Sequence, residues 1–287
     1  MVQAVKVTEE MVRSNLKSRP LDSRKGQNGV VSVIGGSRLY HGAPFLAAYA
    51  ALRSGVDLVY LSVPQSISTA VRALSPDLII IPRPDVKLTT GAVNRLLNWL
   101  PETGSAVVGP GLGRQKRDGI CKLVNELALK DIKIVLDADA LVNDVVDKVR
   151  NKKAVITPHA GEFKRVFNVE VESSVESRIE KVEEMARRSG VTILLKGPIA
   201  DVISDGEKTA LNYTGSQAMT VGGTGDVLSG IVAGLLAKDL EPFYAASIAA
   251  YFNGLAGEKA AEKRGMHIVA SDLFDEIPAV MKPFDSV

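Results

Sequence analysis

The sequence predicts an α/β fold: a mostly parallel central sheet, helices on both faces, and an antiparallel hairpin at one edge. Three observations predict it. Short runs rich in Val and Ile recur along the chain with helix-length segments between them. Within each run the apolar residues are continuous rather than alternating, as in strands buried on both faces. Glycines cluster where the runs end, and strand followed by helix, repeated, calls for right-handed crossovers and parallel neighbours.

The elements follow in order. Val30–Ile34 reads as a strand and Pro44–Arg53 as a helix with Ala and Leu on its face. Leu58–Val63 is a strand, Ser66–Ala73 a short helix, Asp77–Ile81 a strand and Gly91–Leu100 a helix. Strands at Ala106–Val108 and Ile132–Leu136 flank a helix over Arg114–Lys130. Ala154–Thr157 is a strand, followed by a long polar helix over Glu172–Arg188. The rhythm then changes: Val191–Leu195, Ile199–Ser204 and Lys208–Asn212 come without intervening helices. Ser204–Asp205–Gly206 reads as the turn of the hairpin. Three helices close the chain, Gly225–Ala237, Pro242–Arg264 and Ser271–Met281. The small residues Gly230, Gly234, Ala245, Ala246, Ala249 and Ala250 point to tight helix packing; a membrane GxxxG reading of Gly230 and Gly234 fails on length. Neither linker nor repeat is visible, so a single domain over residues 1–287 is expected.

Composition narrows the function. The 287 residues are 46% hydrophobic and 24% charged, with a formal net charge of +2. Disordered and fibrous classes are excluded, and no basic footprint for nucleic acid exists. The single cysteine, Cys121, excludes a disulfide framework and a thiolate metal cluster, and is expected to be buried and inert. Met1–Lys17 lacks the apolar core of a signal peptide, and the Val227–Ala237 stretch is too short to span a membrane. A soluble cytoplasmic protein with no membrane partner is expected.

Gly222–Gly223–Thr224–Gly225–Asp226 opens the helix that carries Leu228 and Ile231. Glycines there let backbone N–H groups converge on an anion, and the helix dipole adds to the pull. Asp226 is repulsive beside an anion unless it serves as the base that deprotonates an attacking hydroxyl in phosphoryl transfer. The plain alternative is a glycine turn with an acidic residue in the first helical turn. Neither a P-loop nor a G-x-G-x-x-G after the first strand is present, which argues against an NAD-type oxidoreductase.

Four further segments follow strands: Gly35–Gly36 through Gly42–Ala43, Gly109–Pro110–Gly111–Leu112–Gly113, Asp137–Ala138–Asp139–Ala140, and Thr157–Pro158–His159–Ala160–Gly161–Glu162. In a parallel sheet all lie at the carboxyl edge, where such folds bind ligands. Each has a plainer reading. His159 and Glu162 form a candidate metal pair without a third ligand, and a helix-start hydrogen bond suits Glu162 as well. Asp137 and Asp139 suit Mg²⁺ held through water or helix capping. Lys196 suits a phosphate or an exposed strand end.

Taken with Lys25–Gly26–x–x–Gly29 and Leu195–Lys196–Gly197, the order of these motifs resembles the ADP/ATP-dependent NAD(P)H-hydrate dehydratases, of ribokinase-like fold, from about Lys25 to Met281. The sequence departs from that pattern at Arg24, where a His often stands, and in the looser Gly215–Val221 stretch.

The resemblance implies a repair enzyme, a nucleotide-dependent lyase acting on the S epimer of hydrated NADH or NADPH. The C6 hydroxyl of the hydrated ring is phosphorylated, then phosphate is eliminated, with AMP formed from ADP or ADP from ATP. It implies Asp226 as the catalytic base. Ala43, Gly111, His159 and Asp226 would contact the hydrated dinucleotide, and Lys196, Gly197, Pro198, Ile199, Ala200, Gly223, Thr224 and Gly225 the adenine nucleotide. Phosphoryl transfer calls for Mg²⁺, with Asp137 and Asp139 the candidate ligands through water. The resemblance implies a homo-oligomer; the chain leaves no room for the epimerase domain of some members. Two other readings stand beside it: a vitamin-precursor or sugar kinase of the same fold, which would accumulate a phosphorylated product, and a catalytically silent nucleotide-binding regulator.

Overall fold

The computed structural model describes residues 4–84, 87–113 and 117–285. Its strands are β1 (Val5–Lys6), β2 (Val30–Ile34), β3 (Leu58–Pro64), β4 (Ile79–Arg83), β5 (Ser105–Val108), β6 (Lys133–Leu136), β7 (Ala154–Ile156), β8 (Thr192–Leu195), β9 (Asp201–Ser204) and β10 (Thr209–Asn212). Its helices are α1 (Glu9–Asn15), α2 (Gly42–Arg53), α3 (Gln65–Arg72), α4 (Thr90–Leu97), α5 (Arg117–Leu129), α6 (Asn143–Val146), α7 (Ala160–Phe167), α8 (Val175–Ser189), α9 (Thr224–Ala237), α10 (Pro242–Arg264) and α11 (Leu273–Met281).

One ten-stranded sheet runs in the order β1-β10-β9-β8-β7-β6-β5-β2-β3-β4. Every neighbouring pair is parallel except those of β9, which runs against both β8 and β10. The expected hairpin is therefore β9–β10, but the outermost place belongs to β1, which pairs with β10 through Val5 and Lys6. Successive residues of a strand face opposite sides of the sheet. Val31, Val33, Val107, Val135 and Val155 enter one buried layer under α2, α9, α10 and α11. Ala106, Val108, Ile134, Leu136 and Ile156 enter a second, with α5, α7 and α8.

Several observed elements depart from the expected ones. β1, α1, α6 and α7 were not anticipated as elements. β4 runs two residues past the expected end because Pro82, which costs a ladder hydrogen bond inside a sheet, is tolerated on an edge strand. The polar helix α8 begins at Val175 rather than Glu172, capped by the Ser174 side chain. The expected start of the following helix at Arg114 lies outside the described residues, and α5 is described from Arg117.

The chain lays β3 and β4 on one side of β2, then returns to place β5 on the other. The β2/β5 boundary is thus a topological switch point, where open α/β sheets bind ligands beyond their carboxyl ends. There the Gly36 N–H donates to the Pro110 carbonyl over 2.9 Å, stitching two of the glycine segments together. Behind them α2 and α9 pack backbone to backbone. A Cβ at Gly230 would collide with the Ala47 carbonyl oxygen, so small residues here serve close approach.

Candidate active site

The start of α9 is built from a backbone that only glycine adopts freely. Gly223 is its N-cap with φ 102°, and a Cβ there would also meet Ala270 at 2.9 Å. Three residues on, Asp226 occupies the first turn and is half-buried. No hydrogen bond reaches its carboxylate among the described residues. Burial raises its pKa, and the Asp137, Glu162 and Asp139 carboxylates push further; the Lys196 ammonium opposes them, and the result is about 7.

Lys196 follows β8 and extends between these acids. Its Nζ lies 3.3 Å from Asp137 Oδ1 and 3.9 Å from Glu162 Oε2. Burial works against the ammonium, yet the attraction of Asp137 and Glu162 outweighs it and the pKa rises. A Cβ added to Gly225 would come within 3.1 Å of the same Nζ, so the lysine reaches the first turn of α9. Asp137 is almost fully buried, and Oδ1 also accepts from the Thr157 hydroxyl at 2.8 Å. It makes no side-chain cap to the short 3₁₀ turn Ala138–Ala140, so the capping reading of Asp137 is set aside. Asp139 Oδ2 accepts from the Gly113 N–H at 2.8 Å, tying the Gly109–Gly113 loop to the acids.

His159 is the N-cap of α7. Its Nδ1 accepts from the Gly161 and Glu162 N–H groups at 3.0 and 3.3 Å, which assigns the ring proton to Nε2. Glu162 Oε2 in turn accepts from the His159 N–H at 3.0 Å, a reciprocal capping box, so the helix-start reading of Glu162 holds. The His159 side chain is 61% exposed, with Nε2 3.6 Å from Glu162 Oε2. Ala43 and Gly111, far apart in sequence, are neighbours: a Cβ on Gly111 would sit 3.1 Å from that of Ala43. Among the described residues no group of three His, Cys, Asp or Glu side chains is placed to hold a metal ion by itself.

On the other side of Lys196 lies a cavity of about 340 Å³. Lys196, Gly197, Pro198, Ile199, Ala200, Thr224 and Gly225, expected at the nucleotide, all line it; Gly223 does not, being the cap behind them. Two residues that the sequence did not single out hold this wall. Asp201 accepts from the Gly197 N–H at 3.1 Å and from Asn212 Nδ2 at 3.1 Å. The Arg178 guanidinium donates to the Lys196 and Leu195 carbonyls at 3.0 and 3.3 Å.

The Lys25–Gly29 motif lies at the opposite end of the sheet. The Gly26 and Asn28 N–H groups donate to Asp57 at 2.8 and 3.0 Å, ahead of β2 and β3. Its departure at Arg24 therefore leaves the nucleotide loop untouched. A larger cavity, about 870 Å³, opens at that end, and two of its cations are engaged within the protein: Lys238 Nζ with the Ser54 carbonyl at 2.6 Å, Arg19 with Asp57 at 2.6 Å. Cys121 is half-buried rather than buried, and desolvation raises its pKa, as expected of an inert thiol.

The sequence profile of the NAD(P)H-hydrate dehydratase family matches residues 31–279. The chain belongs to that family. It is 52% identical over 281 residues, 97% of each chain, to the ADP-dependent (S)-NAD(P)H-hydrate dehydratase of Cenarchaeum symbiosum. The structure superposes with a TM-score of 0.84 on the Bacillus subtilis ADP/ATP-dependent NAD(P)H-hydrate dehydratase co-crystallised with ATP and Mg²⁺, at 28% identity and covering 99% and 100% of the two chains. A ribokinase-like superfamily protein of Enterococcus faecalis matches with a TM-score of 0.80 at 23% identity, covering 99% and 98%, and shares the fold. No helix of the described residues is long and apolar enough to cross a membrane.

Proposed function

We infer that this protein dehydrates the S epimer of hydrated NADH or NADPH at the expense of a nucleoside phosphate, restoring the reduced cofactor. One observation carries the reading: a carboxyl group with pKa about 7, Asp226, lies in the first turn of α9 among Asp137, Lys196 and Glu162, next to Thr224 and Gly225 on the cavity wall. The hydrated ring lies on the Ala43, Gly111 and His159 side, the adenine nucleotide on the other. ADP is the donor by the name of the Cenarchaeum relative.

Ionised Asp226 takes the proton of the C6 hydroxyl as its oxygen attacks the terminal phosphorus. The bond from that phosphorus to the nucleotide breaks and AMP leaves. Backbone N–H groups at Gly223–Gly225 and the Lys196 ammonium stabilise the charge on the moving phosphoryl group. Hydroxide is a poor leaving group and phosphate a good one. The ring-nitrogen lone pair expels phosphate from C6, and loss of the C5 proton restores the dihydronicotinamide.

Mg²⁺ fits the donor set as one or two carboxylates beside phosphates and water: Asp137 and Asp139 would hold it through water, and it would neutralise phosphate charge. All these groups come from one sheet, so the reading needs a single domain. A homo-oligomeric assembly in the cytoplasm completes the proposal, and light scattering measures the assembly.

The test is a cuvette with hydrated NADH, Mg²⁺ and ADP or ATP. Absorbance of the dihydronicotinamide rises and phosphate appears in step, and Asp226→Asn slows this by about 10²–10⁴-fold, the usual contribution of a positioned base. A stable phosphorylated product without phosphate release would identify a kinase; tight nucleotide binding without turnover would identify a silent regulator.

A further inference from the structure

Asn253 lies on α10, in a stretch where its neighbours are Ala249, Ala250, Gly254 and Leu255. It is 7% exposed, and its Oδ1 is buried with no hydrogen-bond partner. No protein group answers its side-chain amide among the described residues. Buried polar groups are almost always paired, and one left open beside a cavity is poised for a ligand. Asn253 lines the 340 Å³ cavity together with Leu228, Ala250 and Met219. The same cavity has Lys196, Gly197 and the start of α9 on its wall. It thus has a cationic region suited to phosphates and, around Leu228, Ala250 and Met219, an apolar region suited to a flat ring, where the Asn253 oxygen is the buried polar atom left without a partner among the described lining residues.

We propose that Asn253 selects the base of the nucleotide: its carbonyl oxygen accepts from the 6-amino group of adenine while its NH₂ donates to the adjacent ring nitrogen. A carboxamide matches this donor–acceptor pair in two parallel hydrogen bonds. Guanine presents a carbonyl oxygen at the same position and an acceptor nitrogen beside it, which leaves the amide oxygen unanswered in a buried site. This rests on the nucleotide occupying the cavity as proposed above and adds which atoms of the base are recognised. Asn253 contacts neither the phosphates nor the hydrated ring, so it is a specificity-determining residue.

The measurement is equilibrium binding of ADP, GDP and purine riboside 5′-diphosphate, which lacks only the amino group, to the wild-type protein and to Asn253→Leu and Asn253→Ala. Wild type is expected to bind ADP about 10- to 100-fold more tightly than either analogue, and both variants to lose that preference mainly through weaker ADP binding. Leu fills the space of the amide without an unpaired oxygen, so the ligand-free Leu variant should melt no lower than wild type. A merely structural amide would give the opposite pattern, a lower Tm with the base preference intact. That result, or failure of both variants to fold, overturns the proposal. If the wild type binds no ADP, the nucleotide reading of the cavity itself falls; if it binds ADP and the analogues equally, only the role of Asn253 falls.

Discussion

Asp226 keeps its proton to a pH some three units above an ordinary aspartate, because burial and three neighbouring carboxylates outweigh Lys196. Folded protein therefore binds more protons than unfolded protein between about pH 4 and pH 7, and stability falls as pH rises through that window. Above pH 7 the cost of ionisation is present in full. Asp226→Asn removes it, so the variant should melt above wild type at pH 8, by up to roughly 8–16 °C, and show little gain at pH 4, by calorimetry. Activity runs the other way. The base of the proposed mechanism works ionised, so kcat/KM should climb tenfold per pH unit below about 7 and level off above it. A flat profile between pH 5.5 and 8 would remove Asp226 from the proton-transfer step. Asp226 and Lys196 were legible in the sequence because each sits in a short motif whose chemistry is local. Arg178, Asp201 and Asn253 were not, since nothing near them in sequence reports the carbonyl, N–H or cavity each one faces. The only sequence sign for Asn253 is an amide within the Ala- and Gly-rich face of α10.

Among the elements, α9 has the most demanding surroundings: it carries the glycine-rich turn at one end and packs against α2 along its length. A side chain at Gly230 would drive the Ala47 backbone away. Gly230→Val should destabilise by about 1–3 kcal/mol, the usual cost of overpacking, and shift the start of α9 enough to reduce turnover. Denaturant unfolding gives the first quantity, and a variant as stable as wild type would show that the helices can separate without penalty. Strands such as β2, β3 and β6 were legible because burial on both faces leaves a continuous apolar run. The two-residue β1 and the seven-residue α1 carry too few positions for a period to show. α7 was missed as an element although its start was legible: the helix-start hydrogen bond expected of Glu162 is present, as half of a capping box with His159, but the eight residues that follow are too few for a period to show.

For the molecule as a whole, ligand linkage is the most direct check. ADP at about 100 times its Kd should stabilise the folded state by about 2.7 kcal/mol, a Tm rise of roughly 5–10 °C for a chain of this size. Asp201→Ala, which frees the Gly197 N–H and Asn212, should forfeit most of that rise while leaving the sheet assembled. Equal shifts in the two proteins would show that the loop needs no such anchor. The alternation of strand and helix was enough to predict a parallel sheet, but not which strands are neighbours. Pairing of β2 with β5 follows from long-range packing, and it decides that Gly35 meets Pro110 while the Lys25–Gly29 motif is left at the far end.

The reversed strand β9 has a consequence for how the enzyme can be altered. Because it runs backwards, the chain starts β9 at the ligand edge at Asp201, turns at Asp205–Gly206, and comes back to that edge at Asn212, where the two residues are bonded. Much of the proposed nucleotide compartment thus comes from one contiguous stretch, whereas the compartment proposed for the hydrated ring is assembled from segments around Ala43, Gly111 and His159. Exchange of the Lys196–Thr220 stretch between relatives would transplant much of the donor compartment and leave recognition of the damaged cofactor in place.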